Sequence, residues 1–350
     1  MPGVAFVTTD FNNNIQPPEP NGCAWYRMVL PARQLEELGW ETVVGQPRLA
    51  TDYGVGVAYK DGMLTGYDAT VTKLIMHKAF PDMIPIMRAR GERVIVDVDD
   101  FHYGLEPTNI AYHVTHPHTD FDCNRMWYEI GIRAADRVIV STEFLADHYS
   151  RRVRDVCLVR NSIDVDRYTP MVQNGEAVFG WVGGTLWRSG DIELLRDWLP
   201  GFSKDHGVRV HHAGHISGDG KHFGVRAGLK KVSTQNMTSI REYPKLFTEF
   251  NVGLVPLTMN PFNEAKSFLK GLEYAASGIP FISSPTREYE LLHEAGVGRL
   301  AETPDEWRDH ATELLNPDVR AGEANRQRLI VESLFNIKGK GNEWATAILG

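Results

Sequence analysis

The feature that most constrains this chain is an alternation, run through twice, of short β-branched apolar runs with segments of helical period. In the first half "GVAFVTTD" (3–10), "TKLIMHK" (72–78), "RVIVDVDD" (93–100), "RVIVS" (137–141) and "VCLVRNSID" (156–164) read as strands. Between them, "YRMVLPARQLEELGW" sets Met28, Val29, Ala32, Leu35 and Leu38 at helical spacing before a Gly39 stop. "PDMIPIMRARG", "CNRMWYEIGIRAAD" and the stretch following the capping candidates Ser141 and Thr142 read as further helices. Strands separated by helices pair in parallel, because a parallel partner is reached only by a crossover long enough to hold a helix.

The pattern lapses over "VDRYTPMVQNGEA" (165–177), where Pro170, Asn174 and Gly175 break any sustained period, and a linker is expected there. It restarts with the strand and glycine turn "AVFGWVGG", the helix "DIELLRDWLPGF" and the strand "RVHHAGH". A helix "REYPKLFTEF", strands "VGLVPL" and "PFISS", and helices "TPDEWRDHATELL" and "RLIVESLF" follow. The expected architecture is α/β, with two Rossmann-like domains at 1–168 and 176–335 whose parallel sheets face across a cleft. The closing stretch 336–350, with "NEWATAIL", is expected to return to the first domain.

A chain of 350 residues with 42% hydrophobic content suits two such cores. No run approaches the roughly 20 apolar residues that cross a bilayer, and the first residues lack a signal-peptide pattern, so no integral membrane segment and a cytoplasmic setting are expected. Three separated cysteines without a CxxC pair fit free thiols in a reducing compartment. Net charge is -8 with no basic stripe, which argues against a nucleic-acid partner and leaves any polyanionic ligand to a few placed cations and backbone amides.

The densest chemistry lies in "NEAKSFLKGLEYAASGIPFISSP" (263–285). From Ser267 onward Phe268, Leu269, Leu272, Ala275 and Ala276 follow helical spacing, with Lys266, Lys270 and Glu273 largely off that stripe. A helix start at the carboxyl edge of a sheet, with Lys266 beside its N–H groups, suits a phosphate. Glu273, nearly two turns further in, suits a vicinal diol such as a ribose. The competing reading is a solvated face carrying an i,i+3 Lys270–Glu273 pair.

This segment resembles the donor-binding signature of GT-B glycosyltransferases of the retaining, glycosyltransferase-1-like group, in a bacterial and phage-type form. That signature has a glutamate, seven residues and a second glutamate. The resemblance implies that Glu273 holds the nucleotide ribose and that the donor-sugar glutamate falls at Ala265, flanked here by Glu264 and Lys266. It covers nearly the whole chain. "NGCAWYRMVLPARQLEELG" is similar to the family's N-terminal glycine loop and helix, with Gly22 toward the donor and Tyr26 and Arg27 toward the acceptor. "FGWVGGTLWRSGDIELL" is similar to the first strand and loop of the donor domain, giving Gly183, Gly184 and Arg188. No lysine follows Arg188 before Lys204, so Lys266 is expected to supply the second cation for the diphosphate. Asn263, Ser267, Phe268, Gly214 and His215 complete the expected donor contacts.

At the end of "RVIVDVDDFHYG", Asp97, Asp99, Asp100 and His102 cluster; Asp99 and Asp100 are expected to contact sugar or acceptor, and His102 the acceptor. A strand-end Asp pair capping local backbone is the alternative there. A Mg²⁺ or Mn²⁺ cluster is disfavoured, since the resembled family generally reaches its donor without metal. The histidine groups His113, His116, His118 and His211, His212, His215 lack matched zinc-ligand spacing, so no metal is expected. GxSxG and P-loop patterns are absent from the sequence. The implied function is sugar transfer from a nucleotide-diphospho-sugar, with no other cofactor, to a hydroxyl on a glycan, lipid, protein or other compound, with retention. Glu264, Lys266, Asp99 and Asp100 would carry the chemistry. A non-catalytic nucleotide-sugar binder and a GT-B-like sugar-nucleotide epimerase are the alternatives.

Overall fold

The computed structural model describes residues 1–14, 17–46, 67–115, 123–188, 190–215 and 222–350. The chain divides into two compact units: Met1–Tyr103, Ala111–Asn161 and Ile337–Gly350 form the first, and Gly104–Ile110 with Ser162–Asn336 form the second.

The first unit contains β1 (Gly3–Thr8), a small hairpin of β2 (Phe11–Asn12) and β3 (Glu19–Pro20), β4 (Glu41–Gly45), β5 (Ala69–Lys73), β6 (Arg93–Val98), β7 (Arg137–Val140) and β8 (Val156–Leu158). Its main sheet has the order β4-β1-β5-β6-β7-β8, parallel throughout. β1 and β5 are buried along their whole length, as expected of strands covered on both faces. The strand expected at 72–78 lies earlier, at Ala69–Lys73, because Leu74 adopts φ +55° and ends the extended run. The first helix opens with a short α-helical turn, Gly22–Ala24, and passes through a π-helical stretch, Trp25–Val29, before Leu30–Glu37. Gly341–Leu349 packs on Leu30–Glu37 so closely that a Cβ at Gly341 would stand 2.8 Å from the Gln34 carbonyl oxygen.

The second unit contains β9 (Val178–Val182), β10 (Arg209–Gly214), β11 (Ser233–Asn236), β12 (Val252–Val255), β13 (Phe281–Ser283) and β14 (Arg299–Leu300). The order is β11-β10-β9-β12-β13-β14, again all parallel. Phe179, Trp181, Trp198, Phe202, Phe223 and Trp307 anchor a core around β9 and β12. The helix expected over 191–202 divides into a 3-10 turn, Ile192–Leu195, and an α-helix, Leu199–His206, with Pro200 in its first turn where its missing N–H costs nothing. The helix expected over 241–250 is a 3-10 turn, Tyr243–Phe247. The 263–285 segment also divides: Pro261–Glu264 forms one turn, capped by Asn260, and the helix proper is Leu269–Ala276. Ser267 and Lys266 therefore lie before the helix, not within its first turn.

Candidate functional site

In open parallel sheets ligands bind beyond the carboxyl ends of the strands, where the strand order reverses. In the second unit the chain builds outward from β9 to β11, then returns to lay β12 on the other side of β9, so the reversal falls between β9 and β12. The loops that leave these two strands carry the residues of interest. In the first unit the same reversal falls between β1 and β5.

The loop after β9 is held from several sides. Gly183 donates its N–H to the Ala213 carbonyl at 2.8 Å, and the His212 Nε2 lies 3.0 Å from the Gly183 carbonyl oxygen. Gly214, expected to let a ligand approach, is required for another reason: at φ +151°, a Cβ would fall 2.0 Å from the Gly183 oxygen. Arg226, paired with Glu193 at 2.6 Å, donates to the carbonyls of Thr185 (2.6 Å) and Arg188. Gly184 precedes the 3-10 turn Thr185–Trp187. Asp191 then ties this loop to the one after β12, its Oδ1 accepting from the Thr258 N–H at 2.9 Å and the Asn263 Nδ2 at 2.7 Å. Asn263, expected at the donor, is buried and committed to that bridge and to the Thr258 carbonyl at 2.9 Å. Arg188, partly exposed and 3.9 Å from Asp191, keeps a buried Nε with no hydrogen-bond partner among the described residues.

Beyond β12, Ala265 is fully buried, as is Phe268, which packs edge-on against Phe335. Lys266 sets its Nζ 4.0 Å from the centroid of the Phe262 ring, a cation–π contact. Glu264 is partly exposed, with an oxygen 3.5 Å from the Arg287 N–H, and Ser267 is likewise partly exposed. The strongest constellation lies one turn on. Lys270 donates to Glu273 Oε2 at 2.7 Å and to the Tyr243 hydroxyl at 2.8 Å, while that hydroxyl donates to Glu273 Oε2 at 3.1 Å. The Glu273 side chain is 3% exposed and that of Lys270 18%. Burial lowers the Lys270 ammonium below its ordinary pKa, with Glu273 opposing and the Arg188 charge adding to the shift. Tyr243 is pushed up by burial and by the Glu273 charge. Sequence reading missed Tyr243, which sits in a 3-10 turn thirty residues upstream with no periodic signal to mark it.

His211 and His212 point to opposite faces of β10, His211 toward Ser233 Oγ at 2.9 Å and His212 into a stack with Trp181 and Phe223. Burial lowers the pKa of both rings. His215 lies just past the strand, exposed. His211 and His212 thus do not share a face of the strand.

In the first unit Arg27, expected at the acceptor, is 1% exposed and its guanidinium is committed inside the fold. Its Nη2 lies 2.6 Å from Asp97 Oδ2, and its Nη1 donates to the Val159 carbonyl at 2.7 Å and to Asn161 Oδ1 at 3.2 Å. Burial raises the pKa of Asp97 against the pull of Arg27. Tyr26 is buried beside it. At the carboxyl ends of β5 and β6, the buried Lys73 is ion-paired with Asp99. Burial alone would lower the Lys73 ammonium, but Asp99, Cys23 and Asp97 outweigh it, and Lys73 titrates above its ordinary value. Gly22 is exposed, with open space where a Cβ would stand. His102 sits edge-on to Tyr128, ring centroids 5.8 Å apart. Cys23, Asp99 and Asp100 form a group of possible metal ligands. They do not suit Mg²⁺ or Mn²⁺, because Asp99 is held by Lys73 and a thiol is a poor ligand for a hard cation. His116 and His118 lie outside the described residues.

No family model matches the sequence, and no curated protein matches it. Solved structures do. HepE from Anabaena, in complex with UDP and glucose, is 14% identical with a TM-score of 0.64, covering 99% of this chain and 99% of its own. WaaG, a glycosyltransferase involved in lipopolysaccharide biosynthesis, is 12% identical with a TM-score of 0.61, over 99% and 100% of the two chains. TarM of S. aureus is 14% identical with a TM-score of 0.59 over 80% of this chain and 54% of its own, so the chain spans about half the length of TarM. At such identities the likeness speaks to fold, and the fold is GT-B.

Proposed function

We propose that the chain is a glycosyltransferase that moves a sugar from a nucleotide-diphospho-sugar to an acceptor hydroxyl. The observation that carries this reading is the convergence, at the strand-order reversal of the second unit, of Arg188 with the Lys270–Glu273–Tyr243 group at the start of Leu269–Ala276. Cations beside a helix start suit a diphosphate, and a buried carboxylate set further along the helix suits a ribose diol. The likeness in fold to HepE, whose structure holds UDP and glucose, supports a donor of that class.

In this reading, negative charge grows on the leaving diphosphate as the glycosidic bond breaks. Arg188, a lysine of the 263–273 segment and the helix-start amides stabilise it, and groups that are already in place lower the barrier without reorganising. Glu264 contacts the donor sugar in place of the family's glutamate at position 265. Asp99 and Asp100, on the carboxyl edge of the first sheet, face the acceptor. Retention of configuration follows from the motif resemblance.

The test is a panel of labelled UDP-, GDP-, ADP- and TDP-sugars, read by thermal shift and by nucleoside diphosphate release with and without glycan and lipid acceptors. Transfer gives stabilisation by one donor together with acceptor-stimulated release. Stabilisation without release identifies a binder, and conversion of the sugar without acceptor identifies an epimerase. Absence of stabilisation by every donor sinks all three.

A further inference from the structure

Lys270 is poorly explained as a surface charge. It is the second residue of Leu269–Ala276, and its ammonium is enclosed by Glu273 Oε2 at 2.7 Å, the Tyr243 hydroxyl at 2.8 Å and the faces of the Tyr243 and Phe247 rings, 5.5 and 5.7 Å away. An exposed i,i+3 pair contributes little; an enclosed one must offset the desolvation of both charges. Side chains lean toward the N-terminus of their helix, so the Lys270 stem inclines toward the end where an anion would sit. Arg188, arriving from the loop after the neighbouring strand, is close enough for its charge to act on Lys270. Both cations already have a carboxylate nearby, Glu273 for Lys270 and Asp191 for Arg188, but the buried Nε of Arg188 has no hydrogen-bond partner among the described residues and leaves a donor for an incoming anion. Lys266, the lysine that sequence reasoning favours, lies instead over the Phe262 ring.

We infer that Lys270 is the second cation of the diphosphate site, alongside Arg188, and that it takes up this post by releasing Glu273 to the ribose. The inference rests on the nucleotide-sugar reading of this site. On binding, the Lys270 ammonium exchanges the Glu273 carboxylate for a phosphoryl oxygen. Glu273 keeps the Tyr243 hydroxyl, which fixes its orientation, and turns its remaining lone pairs to the ribose hydroxyls. Lys270 thereby couples recognition of the two halves of the nucleotide, and Tyr243 is a positioning residue.

The experiment measures binding of UDP, GDP, ADP and TDP, and of their nucleosides by competition, to the full chain by calorimetry. Wild type is compared with Lys270→Met, Lys270→Arg and Lys266→Met. Lys270→Met should weaken the preferred diphosphate at least tenfold and leave its nucleoside within about twofold, Lys270→Arg should recover part of the loss, and Lys266→Met should stay within about threefold. If Lys270→Met does not fold, Lys270→Met/Glu273→Gln removes both buried charges together and should bind diphosphate no better than nucleoside. Unchanged diphosphate affinity in the Lys270 variants, an equal loss for nucleoside and diphosphate, or a loss carried by Lys266→Met overturns the inference while leaving the nucleotide reading standing. Failure of wild type to bind any of the four diphosphates overturns both.

Discussion

Ala265 shows why single positions of the site were only partly legible. The motif puts a glutamate there, but in this chain the position is fully buried at the end of a one-turn helix, where a carboxylate would be desolvated without a partner. Arg27 was visible as a charged residue near a glycine loop; that it is spent on Asp97 depends on β6 and β8 arriving beside it, which no local pattern encodes. His148 belongs to the same class. It packs edge-on to Phe101 and Tyr149, with ring centroids 4.7 and 4.9 Å away. Burial, followed by the charges of Arg152 and Arg151, lowers its pKa to about 4. The unfolded chain binds this proton near pH 6.5, so the neutral ring contributes stability above that pH which is lost as pH falls toward 4. Discounted for partial exposure, the change between pH 7 and pH 5 is about 1 kcal/mol. Urea unfolding of His148→Phe at the two pH values should show a decline smaller by that amount than wild type; parallel declines would remove His148 as the cause.

Elements with strong periodicity were read well, and those built on other interactions were not. β6, β7, β9, β10 and Pro304–Glu313 lie close to where apolar alternation or helical spacing puts them. β11, "STQN", has no apolar residue and exists because it adds to the edge of β10, so it left no signal. The 263–285 segment was legible as a polar helix start, but the break between its two helices was not, since Asn260 caps the first turn and Asn263 ties that turn to Asp191. Arg320 organises another such junction. Fully buried, it donates to the carbonyls of Leu314 (2.7 Å) and Leu315 (2.8 Å) at the end of Pro304–Glu313, and to the Gly175 carbonyl at 2.8 Å. The Leu314 and Leu315 carbonyls lie past the last turn of Pro304–Glu313, where the helix supplies no donor, and losing the guanidinium leaves the buried Leu314 carbonyl unsatisfied. Arg320→Leu should therefore destabilise the second unit by about 3 kcal/mol, read as a fall in denaturation midpoint; a change below about 1 kcal/mol would mean the carbonyls find other donors.

At the scale of the whole molecule, the first unit is assembled from segments that are remote in sequence, and the last fourteen residues are integral to it. Trp344 lies under the Arg27 guanidinium, 4.9 Å from ring centroid to Cζ, so the buried Arg27–Asp97 pair is covered by Gly341–Leu349. Arg93 and Arg137, at the starts of β6 and β7, donate to the carbonyls of Ile348 (3.0 Å) and Ala347 (2.9 Å). The Gln34 Oε1 accepts from the Gly339 N–H at 3.0 Å. Removing residues 337–350 would uncover Trp344's partners, admit water to a desolvated ion pair and expose the apolar face of Leu30–Glu37. Burying Trp344 and Ile348 alone is worth about 3–5 kcal/mol, a large fraction of the stability of a domain of this size. A chain ending at Asn336 should thus lose the cooperative unfolding transition of the first unit in calorimetry while keeping that of the second, and a peptide of residues 337–350 added in trans should restore part of it. Two intact transitions in the shortened chain would show that the first unit closes its core without that helix, and Arg27 would then have to be held by β6 and β8 alone.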